Sequence, residues 1–298
     1  GLGQILEAQG RTIASTPLLQ TALIGASALL LSENETAREE YLPKIAQGQV
    51  RFALAVDDTP HHAPSRLKAT ATKDGEGYVL SGEKTFVIDG GHADILLVAA
   101  QDDSGPALFL VPAGTEGVSC QTLNTLDAHA AANITLANVK APTSVRLGGE
   151  DVLTNVLDRA RVGYAAEMLG LSQQAFEITL EYLKTRKQFG QLIGSFQSLQ
   201  HRAAIMFSEL EQTRSCIGAA FDALDANSDD VAALASLAKA RAAETAHLVT
   251  NEMVQMHGGI GMTDEHDAGL YMKRSRVLEN LYGGEGFHRD RFASLSNF

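Results

Sequence analysis

The 298 residues contain no tryptophan, two cysteines and seven prolines. Cys120 and Cys216 lie far apart and outside any C-x-x-C spacing. That excludes a disulfide scaffold and a zinc ribbon and suits a reducing compartment, so a cytoplasmic protein is expected. Long apolar runs are also missing. The most apolar window, residues 18–31, carries Gln20, Thr21 and Ser27 and falls short of the ~20 apolar residues that a membrane span requires. Its small residues, Ala22, Gly25, Ala26 and Ala28, suit a tightly packed buried helix. Basic charge is in deficit: 24 Lys and Arg against 36 Asp and Glu give a net charge of −12. With no basic run, nucleic acid is not an expected partner. No internal repeat or low-complexity stretch appears. The chain opens Gly1-Leu2-Gly3 without Met, which points to a start further upstream.

Patterning divides the rest into three parts. Residues 1–49 read as helical, with Ser32 as an N-cap candidate and Gly48 ending the stretch. Residues 50–147 change texture. Short apolar runs at 52–56, 67–72, 78–81, 95–99, 108–111, 118–122 and 134–139 alternate with Gly/Asp turns such as Lys73-Asp74-Gly75 and Asp102-Asp103-Ser104-Gly105. Many short strands at near-regular spacing predict an all-β unit, a barrel or sandwich. From residue 148 the pattern is helical again. Leu199, Ala203, Met206, Leu210, Ile217, Phe221 and Leu224 fall on one helix face, and Leu169, Phe176, Leu180 and Leu183 do the same one helix earlier. Asn227-Ser228-Asp229-Asp230 breaks and caps before a further helix to about residue 256. Three or four long helices with short connections predict an antiparallel bundle. The fold class is therefore α+β: an N-terminal helical domain (1–49), a middle β domain (50–147) and a C-terminal helical bundle (148–298).

Several chemistries fail on spacing. The glycine-rich run His257-Gly258-Gly259-Ile260-Gly261 lacks G-x-G-x-x-G and follows a helix, so it is no Rossmann fingerprint. The nine histidines are scattered, and the adjacent His61 and His62 cannot share a helical face, so no metal site is expected. No G-x-S-x-G nucleophile elbow occurs. Two segments stand out instead. In Arg186-Lys187-Gln188-Phe189-Gly190-Gln191-Leu192-Ile193, an arginine ends a long helix before Phe-Gly and a polar turn, an arrangement suited to a phosphate-bearing ligand. In Gln255-Met256-His257-Gly258-Gly259-Ile260-Gly261-Met262, paired glycines let a backbone approach something closely. Taken singly, either segment also reads as a glycine-capped helix end.

Together and in this order, the two segments resemble the acyl-CoA dehydrogenase family. The resemblance covers nearly the whole chain, with lesser echoes in Tyr41-Leu42-Pro43-Lys44 and Ser81-Gly82-Glu83-Lys84-Thr85-Phe86-Val87-Ile88-Asp89-Gly90-Gly91. It implies an FAD enzyme that desaturates an acyl-CoA thioester between Cα and Cβ: a carboxylate removes the α-proton and the β-hydrogen leaves as hydride. It implies further that Arg186, Gln188, Phe189, Ile193, Gln255, Gly258 and Gly259 serve the FAD of the neighbouring subunit. Arg161, with Asp158 and Tyr282, would lie near the acyl-CoA. An electron acceptor such as an electron-transfer flavoprotein completes the expected partners.

Departures from the family pattern concentrate on the flavin and the base. The family's Thr-Glu-Pro-x-x-Gly-Ser-Asp is here Val56-Asp57-Asp58-Thr59-Pro60-His61-His62-Ala63, and its Trp-Ile-Thr over the flavin is Phe86-Val87-Ile88. Both expected hydroxyls are replaced by aliphatics, Val56 and Ile88, which cannot hydrogen-bond to a ring. The base positions hold Gly283, in Tyr282-Gly283-Gly284-Glu285, and Ala160, and neither can take a proton. Glu285 is the nearest carboxylate that could substitute, and it also reads as a solvated helix-capping residue.

Three readings follow. In the first, the chain is a subunit of an acyl-CoA dehydrogenase of unlike chains, of the kind used on steroid, ring-derived or dicarboxylate acyl-CoA, and completes its partner's FAD site. In the second it is a self-sufficient homo-oligomer using Glu285. In the third it is a non-catalytic structural homologue. All three predict an oligomer.

Overall fold

The computed structural model describes residues 1–298. The chain forms two compact units, one of residues 15–160 and one of residues 1–14 with 161–298. No helix is long and apolar enough to cross a membrane.

In the first unit, residues 19–25 form a wide π-type helix that continues into a regular helix, Ala26–Leu31. A separate helix, Glu35–Ala46, follows. Its N-cap is Asn34, whose side chain accepts from the Ala37 amide at 2.9 Å. Ser32, the sequence candidate, instead ends the preceding helix in extended backbone. Both residues are good caps, and local sequence does not say which turn is the first. Eight strands come next: β1 (Phe52–Ala55), β2 (Thr70–Asp74), β3 (Gly77–Ile88), β4 (Ile95–Asp102), β5 (Gly105–Pro112), β6 (Val118–Leu123), β7 (Ala131–Pro142) and β8 (Arg146–Gly148).

All eight strands belong to one sheet, ordered β6-β7-β3-β2-β4-β5-β8 with β1 paired to β4. The Asp102–Gly105 turn joins β4 to β5 as an antiparallel hairpin, and the Ser104 amide is held by Asp102 at 2.7 Å. Two pairings, β1 with β4 and β2 with β4, are parallel. Turn chemistry reports only local hairpins, so these crossovers leave no mark in the sequence. β3 is longer than its apolar run because register shifts at Leu80/Gly82 and Lys84/Val87 break the alternation. The outer edge of β1 is closed by a helix. Thr21 Oγ1 and Gln20 Oε1 accept from the amides of Phe52 and Leu54, each at 3.0 Å, which satisfies buried donors that no strand reaches.

The second unit is helical: α1 (Leu2–Thr12), α4 (Glu150–Thr185), α5 (Gln197–Ala226), α6 (Val231–His257), α7 (Ala268–Asn280) and α8 (Glu285–Leu295), with the two intervening short helices of the first unit taken as α2 (Ala26–Leu31) and α3 (Glu35–Ala46). The predicted face of α5 is inward, with Met206, Leu210 and Ile217 buried, and Asn227 ends that helix in left-handed conformation. α1 crosses α4 backbone to backbone. A Cβ on Gly10 would lie 2.0 Å from the Glu167 carbonyl oxygen, and one on Gly170 would lie 1.8 Å from that of Glu7. Glycine on both helices is therefore a packing requirement. One charge pair is fully buried nearby: Glu167 Oε1 accepts from Arg274 Nε at 2.9 Å and Nη2 at 2.6 Å.

Gly170→Ala is expected to destabilise the helical unit by about 1–3 kcal/mol through this overpacking. Chemical denaturation checks it, and amide exchange in α1 should rise more than in α6.

Candidate functional site

The turn between α7 and α8 gathers buried polar groups from three helices. Tyr282 and Gly283 both have positive φ, +53° and +109°. Arg161 Nε of α4 donates to the Tyr282 carbonyl at 3.2 Å, and His288 Nε2 of α8 lies 3.1 Å from the same oxygen. A carbonyl only accepts, so that imidazole nitrogen carries its proton. Lys239 of α6 is fully buried, and its Nζ donates to the carbonyls of Leu278 and Gly283 and to that of Glu279, at 3.0, 3.1 and 3.1 Å. Three acceptors match the three protons of an ammonium. Two of them lie in the last turn of α7, where a cation is favoured by the helix dipole. Burial opposes the charge, as does Arg161, while Glu279 supports it; the result pushes Lys239 down to about 7. The Tyr282 ring packs 5.7 Å from that of Tyr164.

A second group of features lies at the ends of α4 and α6. Lys187–Gln188 and Gln191–Leu192 pair as a minimal hairpin whose two turn residues, Phe189 and Gly190, both have positive φ (+53° and +81°). That is the geometry of a type I′ turn, which normally selects Asn or Gly at its first position. Phe189 is 90% exposed. An aromatic side chain in left-handed backbone, turned out to solvent, is strained and solvated at once, a combination that marks functional positions. Arg186, Gln188 and Gln255 are also exposed, and Ile193 is buried beneath them with its amide on the Arg186 carbonyl at 2.9 Å. At the end of α6, Gly258 has φ +62°, and a Cβ on Gly258 or Gly259 would meet nothing within 4 Å. The backbone there is open to an approaching group, as a phosphate site requires.

In the β unit, Val56 and Ile88 are both buried, at 2% and 7% exposure. Phe86 is 40% exposed with φ +51°, and its amide donates to Asn133 at 3.1 Å. The segment after β1 is filled by its own ions. Lys84, fully buried, reaches the Val56 carbonyl at 2.8 Å and Asp58 at 2.5 Å, and His62 Nδ1 lies 2.8 Å from Asp57. Burial lowers the Lys84 pKa against the pull of Asp58.

Residues 148–294 match the acyl-CoA dehydrogenase C-terminal domain, and residues 61–139 match the acyl-CoA dehydrogenase middle domain. The chain belongs to the acyl-CoA dehydrogenase family. Members of this family are FAD-dependent oxidoreductases acting on CH–CH bonds. The acyl-CoA dehydrogenase FadE27 of Mycobacterium tuberculosis is 30% identical over 287 residues, 94% of this chain and 76% of that protein. The bovine mitochondrial short/branched chain specific acyl-CoA dehydrogenase is 32% identical over 256 residues, 82% of this chain, and the match spans 59% of its length. The crystal structure of the ChsE4-ChsE5 complex of M. tuberculosis superposes with a TM-score of 0.92 at 28% identity, covering 100% of this chain and 80% of that one.

Of the two positions where the resemblance places the base, Ala160 is fully buried and Gly283 lies in the strained turn. Glu285 begins α8 and pairs with Arg289 at 2.8 Å, with its side chain 43% exposed. That is the ordinary placement of a first-turn carboxylate. Asp158, Arg161 and Tyr282 are buried. Lys239 and His288 are not singled out by the sequence. A lone lysine within the alanine-rich run Ala235-Ser236-Leu237-Ala238-Lys239-Ala240 is the signal that marks the first; His288 has none.

Replacing Gly283 by Glu is not expected to restore a base. Its Cβ would meet the Phe287 ring at 2.5 Å and His288 Nε2 at 2.8 Å, in backbone that side chains rarely adopt. A loss of about 1–3 kcal/mol is expected on thermal or chemical melting. Gly284→Glu, in extended backbone with only Asn280 Oδ1 at 3.5 Å, should fold normally. Lys239 predicts a pH slope. An unfolded lysine keeps its proton to its ordinary value of 10.5, whereas the folded one releases it near 7. Between these values the unfolded state holds the extra proton, so this group adds stability as pH rises, by up to about 1.4 kcal/mol per pH unit. Lys239→Met should remove that slope, read as the difference between the two proteins' denaturation midpoints from about pH 7 to pH 10.

Proposed function

We propose that this chain is a subunit of an acyl-CoA dehydrogenase of unlike chains, completing the FAD site of a homologous partner that carries the base. One observation supports this most: the exposed groups are those a subunit lends, and the buried or missing ones are those it would need for its own flavin. Phe189 stands out at the hairpin tip beside Arg186, while Val56 and Ile88 are buried aliphatics and Gly283 and Ala160 lack a carboxylate. The match to a complex of two named chains, ChsE4 and ChsE5, supports the same reading.

The residues at the ends of α4 and α6 fit a dinucleotide. Arg186 supplies a fixed cationic fork for its pyrophosphate. The open backbone at Gly258 and Gly259 accepts a close phosphate, Gln255 offers an amide to the adenosine, and Phe189 an aromatic face. FAD, when bound, supplies a hydride acceptor for the β-hydrogen of the thioester. The chain's own contribution is to bind and orient. Arg161 holds the Tyr282 turn through its carbonyl and places a buried cation there. Proton removal at the α-carbon requires a carboxylate within hydrogen-bond reach, which this turn lacks, so the partner supplies it. An electron-transfer flavoprotein would be the acceptor for such a subunit pair.

The test is expression alone and with candidate partner genes, reading flavin absorbance and acyl-CoA-dependent dye reduction. Flavin and turnover should require the partner, and Glu285→Gln in this chain should leave turnover within about twofold, since an exposed carboxylate paired at i,i+4 contributes little. A lone protein that is fully flavinated and active, losing turnover on Glu285→Gln, assigns the base to Glu285 and overturns the proposal. Absence of flavin with every partner assigns the chain to the non-catalytic reading.

A further inference from the structure

The two motifs at the ends of α4 and α6 are joined through one buried side chain. His257, the last residue of α6 and 3% exposed, immediately precedes Gly258. Its ring lies 4.4 Å from that of Tyr182 on α4 and 4.2 Å from that of His266, in the loop before α7. The Arg186 amide bonds back to the Tyr182 carbonyl at 2.9 Å. The stack therefore runs from the base of the hairpin, through the end of α6, to the start of α7.

Hydrogen bonding assigns the role of one nitrogen in each imidazole. His257 Nδ1 lies 2.7 Å from the Met253 carbonyl, which only accepts, so Nδ1 carries the proton. Its Nε2 is buried and has no hydrogen-bond partner. His266 Nδ1 receives the Ala268 amide at 3.1 Å, so that nitrogen is bare and the proton sits on Nε2. A second proton on His257 would be a buried N–H with no acceptor. A second proton on His266 would face an amide donor and uncap α7. Either would place a cation against the other ring. The titratable groups packed on the His257 ring are Tyr182, from α4, and His266, from the 263–267 loop. Burial holds His257 below the ordinary imidazole value; the Met253 bond opposes this and His266 adds to it.

We propose that His257 is a positioning residue for dinucleotide binding: as a neutral ring clamped between Tyr182 and His266, it keeps the 186–190 hairpin and the Gly258–Gly259 backbone spaced for one pyrophosphate, and charging the stack in acid releases the dinucleotide. This rests on the reading that these two motifs grip FAD.

The experiment uses the flavin-loaded oligomer, with FAD release followed by flavin fluorescence from about pH 7.5 to pH 5.5, and NMR of isotope-labelled histidine in the same protein. In the wild type, FAD affinity should fall by about tenfold per pH unit once the stack takes up a proton, the limit for one linked proton. The His257 resonance should shift in step with the loss of FAD. His257→Phe keeps a ring without a titrating nitrogen and should hold FAD at neutral pH with a flattened acid profile. His257→Ala should lose affinity by about tenfold at every pH, the cost of a misplaced supporting group. An acid loss in His257→Phe equal to that of the wild type, or wild-type affinity in His257→Ala, overturns the proposal. Arg186→Gln separates the two levels. If it weakens FAD binding while the His257 variants do not, the grip stands and the positioning role falls; if it leaves binding unchanged, the grip reading fails and the proposal with it.

Discussion

A buried cation must find acceptors or lose its proton, and the turn between α7 and α8 is organised around that constraint. Lys239, Arg161 and His288 come from three different helices, and all three end on backbone carbonyls between Leu278 and Gly283. Carbonyls at the end of α7 need donors in any case, because the last turn of a helix has no partners of its own. The side chains satisfy the helix end and the helix end satisfies the side chains. In consequence the turn is held from three sides without a carboxylate, and its backbone takes a shape that only glycine adopts easily at 283. A larger side chain at 283 is thus disfavoured by the backbone as well as by its neighbours.

Among the residues with left-handed backbone, Phe86, Asp89, Phe189 and Tyr282 all fall in segments that the family resemblance picks out. For a bulky side chain this conformation costs roughly 1–2 kcal/mol, so each must be held by its surroundings. For Phe189 the holding element is the two-residue hairpin turn; for Tyr282 it is the pair of donors on its carbonyl. Phe86 is held by Asn133 across the β3–β7 pairing. In all three an aromatic ring is placed by the main chain, and the three differ in burial: Tyr282 is buried, Phe86 half exposed and Phe189 almost wholly exposed.

Much of this was legible in the residues, and what was not has identifiable causes. Helices α4 and α5 announce themselves because a core-facing stripe repeats every 3.6 residues, and the β unit because Gly/Asp turns recur between apolar runs. The parallel pairings of β4 were hidden, since a crossover leaves no local signature. So was the π-type start of the 19–31 helix, where Gln20 and Thr21 looked like flaws in an apolar run. They are the caps of β1, and their polarity is required. Lys84, Lys239 and His257 were hidden for a related reason. A buried polar residue is recognisable only once its acceptors, distant in sequence, are in place.

The distribution of polarity also bears on the proposal that a partner carries the base. A decaying enzyme is expected to lose its costly features first: strained turns, buried charges and exposed aromatics, each of which lowers stability unless selected. This chain carries all three. Phe189 remains exposed in strained backbone, Lys239 remains ionisable in the core, and His257 remains buried with an unpartnered nitrogen. Phe189 is not needed for the chain to fold, since a smaller side chain there would expose less apolar surface, whereas Lys239 also satisfies the carbonyls at the end of α7. Phe189, exposed in strained backbone at the hairpin tip, supports the proposal that the hairpin and the glycine-rich end of α6 meet something else. A subunit that completes another's cofactor site has that requirement, whereas a self-sufficient enzyme needs the base and a purely structural homologue needs neither.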